Sequence, residues 1–496
     1  MKGPKGSVHG NCCGKVNRRC FLADCGMGFT GLVLGAMLQR DGIARAAQSP
    51  ALPDGHPHFA PKAKSVIWLF MVGGVSHLES FDPKPALNKY AGMTISESPF
   101  KQTLDSPFLK KNLRVLGAAN SIAVQPRLYP LQVGYKKRGQ SGTEISDWWP
   151  HLGECADEIS VVRSMWTTDN NHGAQLQFHT GRHILEGDNF PSIGAWVHYG
   201  LGSLNDNLPQ FVVLGAGDSC CLAGSSGANY LGPEHSGVRL EVGSDEPLPF
   251  ASPGPDVFTQ EQEREHALLR QLNGLTAVEY PQDSALQARI RSYELAFRMQ
   301  AAVPEVMRFQ DENEATRKLY GLDQEVSRPF GQACLAARRL VERGVRFVQV
   351  FHGGDGGAGS WDGHSKLKKS YTDLSAQVDK PTAALLCDLK QRGLLDETMV
   401  VWGTEFGRTC GAQGSDGRDH SPYGFSTWMA GGGIKSGVVH GATDEIGFHA
   451  VEDRHYVTDI HATLLHQLGL DPRKLEIPGH KRLDVDFGEP IRQIIA

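Results

Sequence analysis

From Ser65 the chain reads SVIWLFMVGG, an apolar run closed by two glycines. That is the pattern of a central strand, buried on both faces, at the point where it leaves its sheet. Shorter runs of the same kind recur at residues 159–162, 211–214, 345–351 and 399–402. Between them, residues 260–272 and 283–309 carry Leu, Ala and Ile at three- and four-residue spacing among Glu, Arg and Gln. Residues 311–343, interrupted near Pro329, and residues 372–392 repeat the pattern. It predicts surface helices packed by one face, with 255–343 as a helical insertion. Strands alternating with helices predict an α/β protein whose central sheet is largely parallel and covered on both faces.

Before Ser65 the pattern is different. Arg18 and Arg19 stand before an apolar, glycine-rich run from Cys20 to about Leu38, and ARAA follows it. The run is short for a membrane span, and the small residues Ala44 and Ala46 suit a signal peptidase. The order Arg18-Arg19-Cys20-Phe21-Leu22 has the spacing of a twin-arginine signal. Residues 1–47 are therefore expected to address the protein to the twin-arginine export machinery, and 48–64, rich in proline, to be a linker. The 65–496 domain then works in the periplasm, cell envelope or outside the cell, with no integral membrane span after cleavage.

Composition narrows the classes further. Hydrophobic residues make up 40% and charged residues 21%, a globular balance. The formal charge of −5 and pI near 6.5 give no footprint for nucleic acid. Six cysteines lie beyond the leader, Cys155, Cys220, Cys221, Cys334, Cys387 and Cys410, and none has zinc-thiolate spacing. Export allows one or two disulfides, whose pairing the spacing does not assign.

Candidate chemistry collects where strands are expected to end. GGVSHLESFDPKP offers Ser76, His77, Glu79 and Asp82; FHGGDGGAGSWDGH offers Asp362 and His364; GTEFGR offers Glu405 and Arg408; GRDHSPYGF offers Asp419 and His420. Carboxylates and imidazoles in loops positioned by a rigid sheet are what a water-activating divalent metal needs. The expected ligands are Asp362, His364, Glu405 and His420, with help from the first loop. Asp459, His461 and His466 read as structural, with Thr458 as a helix N-cap.

FDPKP, WDGH, LKQRGLLDETMVVWGTEFGRT, GRDHSPYGF, GATDEIGF, VTDIHATLLHQLGL and LDVDFGEPI together resemble a bacterial exported family of unknown function in the alkaline phosphatase and sulfatase superfamily. The resemblance implies an α/β/α sandwich, a divalent metal (zinc, calcium, magnesium or manganese) at the strand ends, and hydrolysis of phosphate or sulfate esters. It implies metal ligands at Glu79 or Asp82, Asp362, His364, Glu405, Asp419 and His420. In NHGAQLQFHTGR the Thr180-Gly181-Arg182 ending of the sulfatase motif persists. Asn171 stands in the nucleophile's place and Gln175 in that of an arginine, which argues against formylglycine chemistry. His172 is then a base or ligand, and Arg408 or Arg182 steadies an anionic small-molecule or glycan ester. Two other readings stay open: a non-catalytic binding protein on the same scaffold, and a structural envelope component.

Overall fold

The structure is a computed structural model. It describes residues 53–106, 125–186, 189–215, 217, 222–248, 258–279, 284–475, 477, 480 and 488–496. All belong to the compact unit Pro53–Ala496; the twin-arginine stretch lies outside them, as do Cys220 and Cys221. Among the described residues no helix is long and apolar enough to cross a membrane.

The main sheet uses β1 (Ser65–Met71), β2 (Ile159–Trp166), β3 (Phe211–Leu214), β4 (Val238–Leu240) and β5 (Phe347–His352). It continues with β6 (Thr398–Gly403) and, after a hairpin of β7 (Gly407–Gln413) and β8 (Gly417–Ser421), with β9 (Phe425–Ala430), β10 (Val439–His440) and β11 (His455–Tyr456). Its order is β10-β2-β9-β6-β1-β5-β3-β4, with β11 extending the β10 edge of β2. Every pairing is parallel except those of β9, which runs against both β2 and β6. The C-terminal ends of β1, β2, β5 and β6 therefore share one edge of the sheet, the edge where α/β folds hold their ligands.

Eight helices matter here: α1 (Pro150–Glu154), α2 (Gly173–Thr180), α3 (Ile193–Leu201), α4 (Thr259–Glu279), α5 (Ser284–Met307), α6 (Arg328–Glu342), α7 (Leu367–Gln391) and α8 (Val457–Gln467). β1 is buried at all seven positions, and its side chains alternate between two cores. Ile67, Leu69 and Met71 join Trp149, Leu335 of α6 and Leu385 of α7. Trp68 and Phe70 join Phe178 of α2, Trp196 of α3 and Leu464 of α8. The period-two alternation of a strand thus separates two helical layers, giving the expected α/β/α arrangement. The expected helix pattern is met by α4, α5, α6 and α7. The N-cap of α8 is Tyr456, without a side-chain cap, so Thr458 sits inside the first turn instead. His461 is buried and bonds the Phe178 carbonyl at 2.7 Å.

Burial of neutral imidazoles makes the fold acid-sensitive. Burial pushes His179 and His198 down to about 3, and His352, His449 and His461 to about 4. In the unfolded chain these rings take up protons near pH 6.5; in the folded protein they stay neutral, so stability falls as pH drops below 6.5. Asp169 and Asp379 act oppositely, because burial raises both to about 6, as do Asp444, raised by burial, and His172 and His364, raised beside Asp362. With His77 and His420 also lowered by burial, the neutral imidazoles outnumber these groups, and each net proton is worth about 1.4 kcal/mol per pH unit. The melting temperature is expected to fall steadily between pH 7 and pH 5 by calorimetry. A flat or rising value over that range contradicts this balance.

Candidate metal centre

Two loops and the strand β8 at the shared sheet edge bring His172, Asp362, His364 and His420 together, with one ligand atom from each within 4.8 Å of all the others. His172 follows β2 and stands at the N-terminus of α2; Asp362 and His364 follow β5; His420 lies on β8. The glycines make the close approach possible. A Cβ on Gly73 (φ +123°) would lie 2.6 Å from the Asp362 nitrogen, and one on Gly417 would lie 1.9 Å from the His364 carbonyl.

The tautomers decide what the cluster holds. His172 Nδ1 sits 2.9 Å from Glu405 Oε1, His420 Nδ1 is 2.7 Å from the Asn170 carbonyl, and His364 Nδ1 meets Gln413 Oε1. All three partners are acceptors, so each Nδ1 donates its proton outward. In their neutral forms the three Nε2 atoms then turn lone pairs inward. They lie 3.3 Å (His172), 3.0 Å (His364) and 3.1 Å (His420) from the Asp362 carboxylate. His172 Nε2 is buried without a hydrogen-bond partner. Three lone pairs and a carboxylate converging on one point repel one another unless a cation lies between them. The donor set, three imidazoles and one carboxylate, fits a zinc-like divalent ion.

Without a cation, protons fill the same role in part. Burial opposes charge on His172, but the Asp362 and Glu405 carboxylates on either side of the ring carry its pKa up to about 9. The Asp362 bond raises His364, whereas burial lowers His420 to about 4. Burial alone would raise Asp362, yet the three imidazoles and Arg408 hold it well below the usual carboxylate range.

Glu405 is buried and faces His172 rather than the centre. Its carboxylate also accepts Gly73 N–H at 2.9 and 3.1 Å, Gln175 Nε2 at 3.0 Å and Thr404 Oγ1 at 3.2 Å. It is the orienting carboxylate of a carboxylate–histidine pair. Arg408 is also fully buried. Its guanidinium bonds the Gly73, Gly74, Trp361 and Arg418 carbonyls and Asp362 Oδ1 at 2.8 Å, so it orients a ligand instead of meeting an ester. Arg182 closes the far end of α2, about 12 Å along the helix from His172, near Glu186 and over the Phe190 ring.

The acids of the first loop stand apart. Glu79 is locked on Arg418 at 2.6 Å, and Asp82 on Lys84 at 3.0 Å with the Thr443 hydroxyl. Asp419 remains at the rim: its Oδ2 accepts Gln125 Nε2 at 2.9 Å and its Oδ1 accepts the His420 N–H at 2.8 Å. Asn171, adjacent to His172, turns its Oδ1 onto the His172 N–H at 2.8 Å. Sequence reading assigned no role to Gln413 or the Asn170 carbonyl. Only their place behind two histidines identifies them.

The model of the family described as "Protein of unknown function (DUF1501)" matches residues 63–495. Among curated proteins no relative matches. Solved structures with a similar layout include the lipoteichoic acid synthase LtaP of Listeria monocytogenes, 8% identical, with a TM-score of 0.37 over 88% of this chain and 79% of that one. The phosphonate monoester hydrolase of Agrobacterium radiobacter is 12% identical, with a TM-score of 0.36 over 84% and 75%. The sulfatase PsFucS1 of a Pseudoalteromonas species is 17% identical, with a TM-score of 0.31 over 80% and 75%.

Proposed function

The chain belongs to the family of unknown function DUF1501, and from its convergent histidines we propose that it is an exported, divalent-metal-dependent hydrolase of phosphate or sulfate esters. The observation that carries this reading is the set of three inward Nε2 lone pairs around Asp362. His172, His364, His420 and Asp362 hold the ion. Such an ion supplies polarisation of an ester oxygen and a lowered pKa for water. Glu405, Gln413 and the Asn170 carbonyl fix the three tautomers, and Arg408 fixes Asp362.

Asn171 offers an amide where a covalent nucleophile would stand, so water attacks the ester directly. Asp362 and His364 are partly exposed, at 20% and 36% of their side chains, and give the centre its opening. With Arg408 and Arg182 engaged elsewhere, the ion itself would supply the positive charge for an anionic ester; beside the His364 turn lies a cleft of 590 Å³ lined by Lys366, Lys368 and Lys369 together with Asp373 and Asp416, Lys369 being paired with Asp373. Leu367 N–H donates to the Asp416 carbonyl at 3.0 Å and ties that cleft to the β7–β8 hairpin. The twin-arginine spacing at Arg18-Arg19 supports export, and an envelope or periplasmic location.

Metal-loaded wild type is expected to hydrolyse at least one of p-nitrophenyl phosphate, p-nitrophenyl sulfate and a phosphonate monoester. Its kcat/KM should exceed that of His420→Ala by about 100-fold or more, the scale of lost transition-state stabilisation. A second reading, a binding protein for phosphorylated or sulfated glycans, is favoured by Asn171 and by the burial of Arg408. A folded, metal-loaded wild type that turns over none of the three esters and binds such a glycan would establish it.

A further inference from the structure

We infer that Cys155 and Cys387 are a redox-active pair that closes to a disulfide, fastening the end of α1 to α7. Their sulfurs lie 3.5 Å apart, and Cys155 Sγ also faces the Ala383 carbonyl at 3.8 Å. The two segments are already docked: Asp379 of α7 accepts the His151 and Leu152 N–H groups at the start of α1, both at 2.8 Å. Two turns further along α7 the same contact delivers the thiols to each other. Closing the bond needs the sulfurs to approach by about 1.5 Å, within reach of side-chain rotation on held backbones.

The two thiols differ in a way that sets the order of events. Cys155 is 5% exposed, whereas Cys387 is only half-buried. The contact with Cys155 lowers the Cys387 thiol to about 7, so Cys387 is the thiolate that meets an outside oxidant. It attacks one sulfur of a small-molecule disulfide such as oxidised glutathione, forming a mixed disulfide and expelling one thiolate. Cys155 then loses its proton and attacks Cys387 Sγ, expelling the second thiolate. The protein gains one disulfide, and the oxidant is reduced to two thiols. Among the described residues Cys334 and Cys410 are buried and free, and burial raises both thiols. They are internal controls.

The cross-link joins residues 232 apart in sequence, and α7 begins three residues after His364. It would therefore hold the helix that carries one wall of the candidate site, and it stands whether or not the site is catalytic. The test uses the full chain, purified reduced, then treated with oxidised glutathione, alkylated under denaturing conditions and digested without reductant. A linked peptide pair containing Cys155 and Cys387 is expected, with a rise in melting temperature of about 5 °C or more from closure of a long loop. Cys387→Ser, matched to wild type by circular dichroism, is expected to lose both signals, and Cys334→Ser to keep both. Cys155 and Cys387 that remain alkylatable after oxidation of the folded protein, or that pair with other cysteines, overturn the inference.

Discussion

The wild-type chain is expected to hold about one equivalent of a divalent ion, as a single four-donor site dictates, and His172→Ala and His420→Ala are expected to lose it. Each variant removes one of three inward lone pairs, and elemental analysis of purified protein reads the result directly. Glu405→Gln is subtler. It leaves all four donors in place but weakens the carboxylate behind His172, so affinity should fall by about 10- to 100-fold, the range for such outer partners. The protonation of the empty site gives a second readout. With its pKa near 9, His172 is charged at pH 7.5 and must release about one proton when an ion binds. Binding enthalpies measured in buffers of different ionisation enthalpy should differ accordingly. Below pH 9, affinity should drop about tenfold per pH unit from this group alone. Stoichiometric metal in His172→Ala, or binding without proton release, would remove the centre as drawn.

The second large effect concerns Arg418, and it is one of stability. Arg418 and Glu79 are both fully buried and meet at 2.6 to 3.1 Å through two guanidinium nitrogens. The remaining donors go to the Thr409, Cys410, Tyr129 and Pro130 carbonyls at 3.0 to 3.2 Å, and Ser76 closes the far side of Glu79. A buried pair so fully bonded is costly to break, because either charge left alone has no water to turn to. Glu79→Ala is expected to destabilise by about 3–5 kcal/mol in denaturant unfolding. Arg418→Met should cost a similar amount, whereas Glu79→Ala combined with Arg418→Met should cost less than the two single changes summed. Additive losses would mean that the two side chains act independently. Because β8 also carries His420, the single variants should lose metal as well as stability.

Those two side chains also mark where sequence reading stopped short. Asp362 and His364 were legible because they follow an apolar run, and a strand buried on both faces announces its own end; His420 was legible only as the Asp-His pair of GRDHSPYGF. Glu79 and Asp82 looked equally suitable, since nothing local says which carboxylate faces a cation and which faces an arginine. The partner of Glu79 lies 339 residues away, and that of Glu405 lies 233 away. Arg408 read as an anion contact because it stands beside Glu405 at a strand end. The carbonyls that bury it, those of Gly73 and Gly74, lie 335 and 334 residues away. The β7–β8 hairpin was taken for loop: residues 407–421 alternate glycine, polar and charged positions, and the polar interior they line has no hydrophobic period. The leader at residues 1–47 falls outside the described residues.

The ligands sit on the turns after β2 and β5 and on β8, with His420 and Asp362 separated by 58 residues and Asp379 and Leu152 joined across 227. No short fragment of the chain holds more than the Asp362–His364 pair. A nascent or unravelled chain offers scattered imidazoles, and only the finished sheet gathers them. Ion occupancy is therefore a report on completed folding. In a cell, free ion in excess of its dissociation constant draws the population toward the native state by mass action. A molecule carrying its ion would have assembled β1, β2, β5 and the hairpin in correct order.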